Sequence, residues 1–209
     1  MKIIGIAGPP KSGKDTVANL LVEKGFLKYS FAYKLREIIY EIYNLDKSMM
    51  GDREYESCPL INGFSIKQIL AHIGTEGFRY IDPNTWINCV DRYLNRKIST
   101  DSVTYKRNSS VVISDVRFPN EVDYIHNLGG ILIWIEQPNI KIREFPSKLF
   151  PLKGINKLPD GRSLQHDSES HWNYSKDKAD IFLKCPLNEL KNTLFTNNKL
   201  MEFINYDYI

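Results

Sequence analysis

Near the start of the chain, Gly8-Pro9-Pro10-Lys11-Ser12-Gly13-Lys14-Asp15-Thr16 sets two glycines five positions apart with a lysine directly after the second. Glycines so placed let a backbone curl until several N–H groups converge on one point, and the lysine can reach an anion held there. The spacing is that of the phosphate-binding loop G-x-x-x-x-G-K-[ST], with Asp15 where the last hydroxyl residue belongs. Lys11, Ser12, Gly13, Lys14, Asp15 and Thr16 are therefore candidate contacts for a nucleotide's phosphates, with Lys14 reaching the β- and γ-phosphates. Thr16 keeps a hydroxyl one position late, where it could bond an α-phosphate or cap the helix. A carboxylate beside phosphate oxygens is repelled unless a cation lies between them, and magnesium prefers hard oxygen ligands. Asp15 is thus a candidate magnesium ligand, directly or through water; the plainer alternative is an acid favoured by the dipole of a helix's first turn.

The elements around the loop fit that use. Lys2 to Ala7 (KIIGIA) is a short β-branched run, and from Lys14 to Lys24 the residues Val17, Ala18, Leu20 and Leu21 recur at helical spacing, giving strand, loop, helix. A second strand is expected over Phe26–Phe31, then a helix over Ala32–Tyr43 with Leu35, Ile38, Ile39 and Ile42 on one face, then an aperiodic stretch to Gly63. Ser65 suits an N-cap for a helix carrying Ile66, Ile69, Leu70 and Ile73, and Asp82-Pro83 restarts a helix through Trp86, Val90 and Leu94. Ile98–Asn108 reads as a loop or ragged hairpin, Val111–Ser114 and Ile131–Ile135 as buried strands, and Pro119 as the first turn of a helix closed by Gly129-Gly130. Gln137–Gln165 has four prolines, two glycines and six basic against two acidic residues, the composition of a basic flap; a strand at Ile181–Leu183 and a helix over Leu187–Asn205 end the chain. Strands alternating with helices imply an α/β fold with a parallel sheet covered on both faces. The loops after Ala7, Phe31, Ser114 and Ile135 would then share one crevice.

Five blocks in order carry a resemblance: SGKDT; Ser30-Phe31-Ala32-x-x-Leu35-Arg36-Glu37; Ile73-Gly74-Thr75-Glu76-x-x-Arg79 with Trp86; Ser114-Asp115-Val116-Arg117-Phe118-Pro119-Asn120-Glu121; and His166-x-Ser168-Glu169. Together they resemble the deoxynucleoside monophosphate kinases of bacteriophages, in which Asp commonly follows the loop lysine. The resemblance implies a P-loop NTPase fold like adenylate kinase. It divides one domain, 1–209, into a core (1–31, 109–136 and 181–205), a helical acceptor-binding region (32–108) and a basic lid (137–170). It also implies transfer of the γ-phosphoryl of ATP to a deoxynucleoside monophosphate, with magnesium. Such transfer is mostly positioning and charge neutralisation, so cations are needed and a covalent nucleophile is not.

By that resemblance Lys11 and Lys14 serve the transferring phosphates, with Lys11 also touching the acceptor phosphate. Arg36 holds the monophosphate, Lys67 faces it, Gly74 admits the nucleotide and Trp86 stacks on its base; from the residues alone, Arg36 and Lys67 could also be surface charges and Trp86 a core residue of its helix. Asp115, Arg117 and Glu121 stand at a strand's mouth, where unpaired charges are costly. They either pair with one another or bind the acceptor's sugar or phosphate, or order magnesium's waters. Arg143 and Arg162 lie on the flap as lid arginines, and His166, Ser168 and Glu169 suit a lid hinge.

Composition bounds the partners. A chain of 209 residues with 42% hydrophobic and 25% charged content can bury a sizeable core, and a net charge of +3 is too weak to argue for a nucleic-acid polymer. Three scattered cysteines make neither a disulfide framework nor a metal knuckle, and no apolar run nears the ~20 residues of a membrane span, so a cytoplasmic protein is expected. Association into a homodimer is left open. Rival readings are a dephospho-coenzyme A or phosphomevalonate kinase, or a nucleotide-dependent switch protein, though no N-K-x-D string supports the last.

Overall fold

The computed structural model describes residues 1–100, 110–138 and 171–206. At its centre five parallel strands run in the order β2-β5-β1-β6-β7. They are β1 (Lys2–Ala7), β2 (Leu27–Tyr29), β5 (Ser110–Ile113), β6 (Ile131–Glu136) and β7 (Ile181–Lys184), while β3 (Pro59–Ile61) and β4 (Phe64–Ser65) form a separate hairpin. β1 sits between β5, with Ile4 beside Val112, and β6, with Ile6 beside Ile133. The chain winds first to one side of β1 and then to the other, so the loop after β1 lies where the winding reverses, the usual ligand crevice of such sheets.

The strands read as unbroken apolar runs because both their faces are covered. β1 sends Ile3 and Ala7 into one core with Leu35, Ile39, Trp86, Val90, Val122 and Trp134. It sends Ile4 and Ile6 into the other, with Val17, Leu21, Leu183, Leu190 and Leu194. The first core belongs to α2 (Tyr33–Ile42), α3 (Ile66–Ala71), α5 (Thr85–Thr100) and α6 (Pro119–Asn127); the second to α1 (Lys14–Val22), α8 (Leu190–Phe195) and α9 (Asn198–Asn205). A π-helical stretch, His72–Phe78, joins α3 to the short α4 (Arg79–Ile81), and α7 (Trp172–Asp177) precedes β7.

Ser65 caps α3 with Gln68 in a reciprocal capping box, as its sequence suggests. Three expectations are corrected. The single helix expected over Leu187–Asn205 is a 3-10 turn and two helices, broken where Asn197 accepts from the Leu200 N–H at 3.0 Å and starts α9. On α2 the buried face is Leu35, Ile39 and Tyr40, while Ile42 is 66% exposed. α5 continues to Thr100 where a loop was expected from Ile98. Residues 101–109 and 139–170, with the basic flap and its Arg143, Arg162, His166, Ser168 and Glu169, lie outside the described residues.

Candidate active site

Gly8 takes φ 145° and a Cβ there would stand 2.3 Å from the Ile135 carbonyl oxygen; at Gly13, φ 101°, it would stand 2.7 Å from Leu190. Only glycine lets the loop press against β6 on one side and α8 on the other. Lys11 also takes a left-handed φ of 65°. Left-handed residues inside a turn aim successive N–H groups into one concavity. No side chain caps α1, and its first internal bond runs from Val17 N–H to Gly13 O at 3.0 Å. The N–H groups of Lys14, Asp15 and Thr16 are thus left for an anion at the helix's positive end.

Lys14 Nζ folds back onto the loop and donates to the carbonyl oxygens of Gly8 at 2.6 Å and Pro9 at 2.7 Å. Burial, and after it the charge of Arg117 and more weakly that of Arg53, push its ammonium down to about 7, against the pull of Asp15 and Asp115. Ser12 is buried; its hydroxyl has no hydrogen-bond partner among the described residues, and its carbonyl accepts from Gln137 Nε2 at 3.3 Å. Lys11 and Thr16 are exposed at the rim.

Asp15 is half exposed and binds two cations, Arg53 at 2.8 Å and Lys28 at 3.3 Å. Burial pushes its carboxyl up, and Lys28 and Arg53 more than offset this, so the net shift is downward. Among the described residues no three His, Cys, Asp or Glu side chains cluster to hold a metal. Asp15 fits magnesium all the same. That ion keeps most of its waters and takes one or two protein carboxylates together with substrate phosphates.

Across the crevice the loop after β5 is built by carboxylates. Asp115 accepts from the Phe31 N–H at 2.8 Å and the Ala32 N–H at 3.0 Å, which fastens the turn from β2 into α2. Glu121, 1% exposed, accepts from the N–H groups of Arg117 at 2.7 Å and Phe118 at 3.1 Å, and its other oxygen pairs with Arg79. Burial pushes its carboxyl up to about 7 against the pull of Arg79, with Asp115 adding to the rise. The Arg79 guanidinium also stacks on the Phe118 ring, 3.8 Å from its centroid. Arg117 is exposed, and its side chain has no hydrogen-bond or ion-pair partner among the described residues. Arg36 is held by the buried Glu56, Nε to Oε1 at 2.9 Å.

The crevice therefore combines a phosphate loop with cations that approach it from three other elements. A protein of Acanthamoeba polyphaga mimivirus, named "Putative deoxynucleotide monophosphate kinase", is 36% identical over 148 residues, which cover 67% of this chain and 76% of that protein. The chain belongs to the deoxynucleotide monophosphate kinase family. No protein-family model matches it. Among solved structures, shikimate kinase from Aquifex aeolicus is 17% identical with TM-score 0.43, covering 94% of this chain and 95% of that one. Dephospho-CoA kinase from Campylobacter jejuni is 19% identical with TM-score 0.44, covering 97% of each chain. TT1252 from Thermus thermophilus is 16% identical with TM-score 0.47, covering 91% of each.

Of the residues expected in the site of such a kinase, the structure brings Asp15, Asp115 and Arg117 each within electrostatic reach of Lys14, with Asp115 also acting on Arg36 and Glu121. Other expectations are corrected. Trp86 is a core residue, 4% exposed, with its indole N–H on Gly74 O at 3.1 Å and Phe78 packed edge-on at 5.3 Å, so it presents no face to a base. At Gly74 the close neighbour is Leu35 Cδ2, which a Cβ would meet at 2.5 Å; the glycine admits α2. Glu121 spends both oxygens on Arg79 and the β5 loop, so it shapes the site without facing a sugar. Lys67 is exposed on α3, and no described contact joins it to the crevice. Sequence reasoning missed Arg53 and Glu56, which lie in the aperiodic stretch and give no pattern to read, and noted Arg79 only as part of a block.

Proposed function

We propose that the protein transfers the γ-phosphoryl group of ATP to a deoxynucleoside monophosphate, giving the diphosphate and ADP for DNA precursor supply. One observation carries the reading furthest. A phosphate loop with its lysine lies within electrostatic reach of Arg117 on the neighbouring strand's loop, exposed and without a side-chain partner among the described residues, in a chain of this kinase family. Lys14 leaves the Gly8 and Pro9 carbonyls for the donor's β- and γ-phosphates, joined by the N–H groups of Lys14, Asp15 and Thr16 and by Lys11 and Ser12. A phosphate oxygen of the acceptor attacks the γ-phosphorus as the bond to the bridging oxygen breaks, and the electron pair leaves on ADP. Arg117 neutralises charge on the group in flight, and Arg143 from the flap is the candidate second cation. Asp115 fixes the start of α2, which carries Arg36 toward the acceptor side. Magnesium, held on Asp15, would supply charge neutralisation at the donor phosphates.

The test is purified protein with ATP, magnesium and a panel of deoxy- and ribonucleoside monophosphates, with diphosphate product measured. A deoxynucleoside monophosphate should raise ADP formation well above basal hydrolysis. If no monophosphate does, the kinase reading is wrong.

A further inference from the structure

We propose that Arg53 is a phosphate ligand of this site: parked on Asp15 in the free protein, it passes to the terminal phosphates of the nucleotide that the Gly8–Thr16 loop holds. The proposal rests on the nucleotide-binding part of the reading above and adds a cation from an element that no motif marks.

Three observations carry it. The first is position. Arg53 is 38 residues from Asp15, yet its Nη2 reaches Asp15 Oδ2 at 2.8 Å, one residue from Lys14, whose ammonium it is close enough to influence. The second is the way its backbone is held between two 3-10 turns, Lys47–Met49 and Tyr55–Ser57. Glu56 is buried and accepts from Arg36 Nε at 2.9 Å, Gly51 N–H at 3.0 Å and the Tyr40 hydroxyl at 3.3 Å, which locks the segment to α2. The Ser57 hydroxyl donates to the Arg53 carbonyl at 2.6 Å, and Asp52 accepts from the Tyr55 N–H at 2.8 Å. The backbone is fixed, and the side chain is 65% exposed where it meets Asp15 at the start of α1. An arginine so mounted takes a ligand without the further cost of ordering its loop.

The third is charge. Asp15 offers one negative charge and already shares it with Lys28 at 3.3 Å. A nucleotide in the loop brings several charges and paired oxygens that match a guanidinium's fork, and Lys28 stays behind to balance Asp15. Arg53 therefore has a better partner once the loop is filled, and Asp15 is not left uncompensated.

The test is a cycle of four proteins: wild type, Asp15→Asn, Arg53→Ala and the double variant. Binding of a non-hydrolysable ATP analogue is measured by calorimetry in EDTA, so that magnesium ligation does not enter. With Asp15 already neutralised, any effect of Arg53 through that carboxylate is gone. Removing Arg53 from the Asp15→Asn protein should still weaken binding about tenfold, the scale of a lost charge-assisted contact. Arg53→Lys, which keeps the charge and the fold, should recover part of the loss. A change under about twofold between Asp15→Asn and the double variant overturns the proposal, since a direct phosphate contact cannot be worth so little. Thermal unfolding of Arg53→Ala should stay near wild type, because the pair it breaks is exposed. The kinase assay on the wild type reads the proposed function separately. A protein that binds nucleotide through Arg53 but phosphorylates no monophosphate would sink that function and leave this inference standing.

Discussion

Raising the pH should weaken nucleotide binding through Lys14, and the binding step should take up a proton. In the free protein the ammonium sits in the loop on two carbonyl oxygens, at 2.6 and 2.7 Å, its only hydrogen bonds among the described residues, and is held down to about 7. At pH 8 the group is about ten parts neutral to one charged. A triphosphate in the loop surrounds it with negative oxygens and restores the charge. About 0.9 of a proton should therefore enter per nucleotide bound at pH 8, and about 0.1 at pH 6. Above pH 7 the affinity should fall about tenfold, or 1.4 kcal/mol, per pH unit. Titration calorimetry at pH 8 in two buffers of different ionisation enthalpy reads the uptake directly. The nucleotide does not interfere there, since a phosphate monoester's second pKa is about 6. Uptake below about 0.2 proton, with affinity flat from pH 7 to 9, would refute the reasoning. The sign for folding runs the other way. Between about 7 and the ordinary value of 10.5 the unfolded chain binds the extra proton, so the Lys14 contribution to stability rises with pH across that window.

Other outcomes follow from packing. Gly8→Ala should abolish nucleotide binding in a filter or calorimetric assay, because its Cβ would lie 2.3 Å from the Ile135 carbonyl and the loop must move. Trp86→Ala should cost about 3–5 kcal/mol in denaturant unfolding, the cost of emptying a core aromatic site, whereas Trp86→Phe should keep the acceptor KM and lose only about 1 kcal/mol with the bond to Gly74; a Trp86→Phe enzyme with normal stability and a much raised acceptor KM would put Trp86 back on the base. Glu56→Ala should cost about 3 kcal/mol by leaving Arg36 half-buried without its partner, and should weaken nucleotide binding if the anchored segment delivers Arg53.

How much of this was legible in the sequence depends on whether a local rule governed the residue. β1, the loop and α1 were readable because glycine spacing, a β-branched run and a helical apolar repeat agree over Lys2–Val22. The Ser65 cap and the Pro119 helix start were readable for the same reason, each being a rule that acts within four residues. The break at Asn197 was missed because an apolar repeat runs across it, and only the side-chain cap on Leu200 shows where one helix stops. On α2 the sequence pattern put Ile42 inside, but Tyr40 takes the core position because its hydroxyl reaches Met49 O and Glu56 there. For Trp86 and Glu121 the residue types and their blocks leave a substrate-facing role and a structural one both open. What decides their role is burial, and burial follows from elements distant in sequence, Leu35 and Phe78 in one case and Arg79 in the other.

The acid in place of the loop's usual hydroxyl gains its meaning from that same long-range information. A threonine at position 15 could touch magnesium, but it could not hold Arg53 and Lys28 in the absence of ligand. The carboxylate gathers one cation from β2 and one from the segment anchored to α2, next to a lysine that is itself close to losing its proton. In the free protein, then, one negative side chain keeps two positive ones beside a loop whose buried lysine is about half charged at pH 7. Mutual repulsion between Lys14 and Arg53 is thereby kept small until phosphates arrive to attract both. On this view Asp15 contributes before the nucleotide binds as well as after it. Replacing it with Thr should strengthen metal-free nucleotide binding at low salt, because the carboxylate repels phosphate and competes for Arg53, and about 0.5 M salt should largely erase the effect.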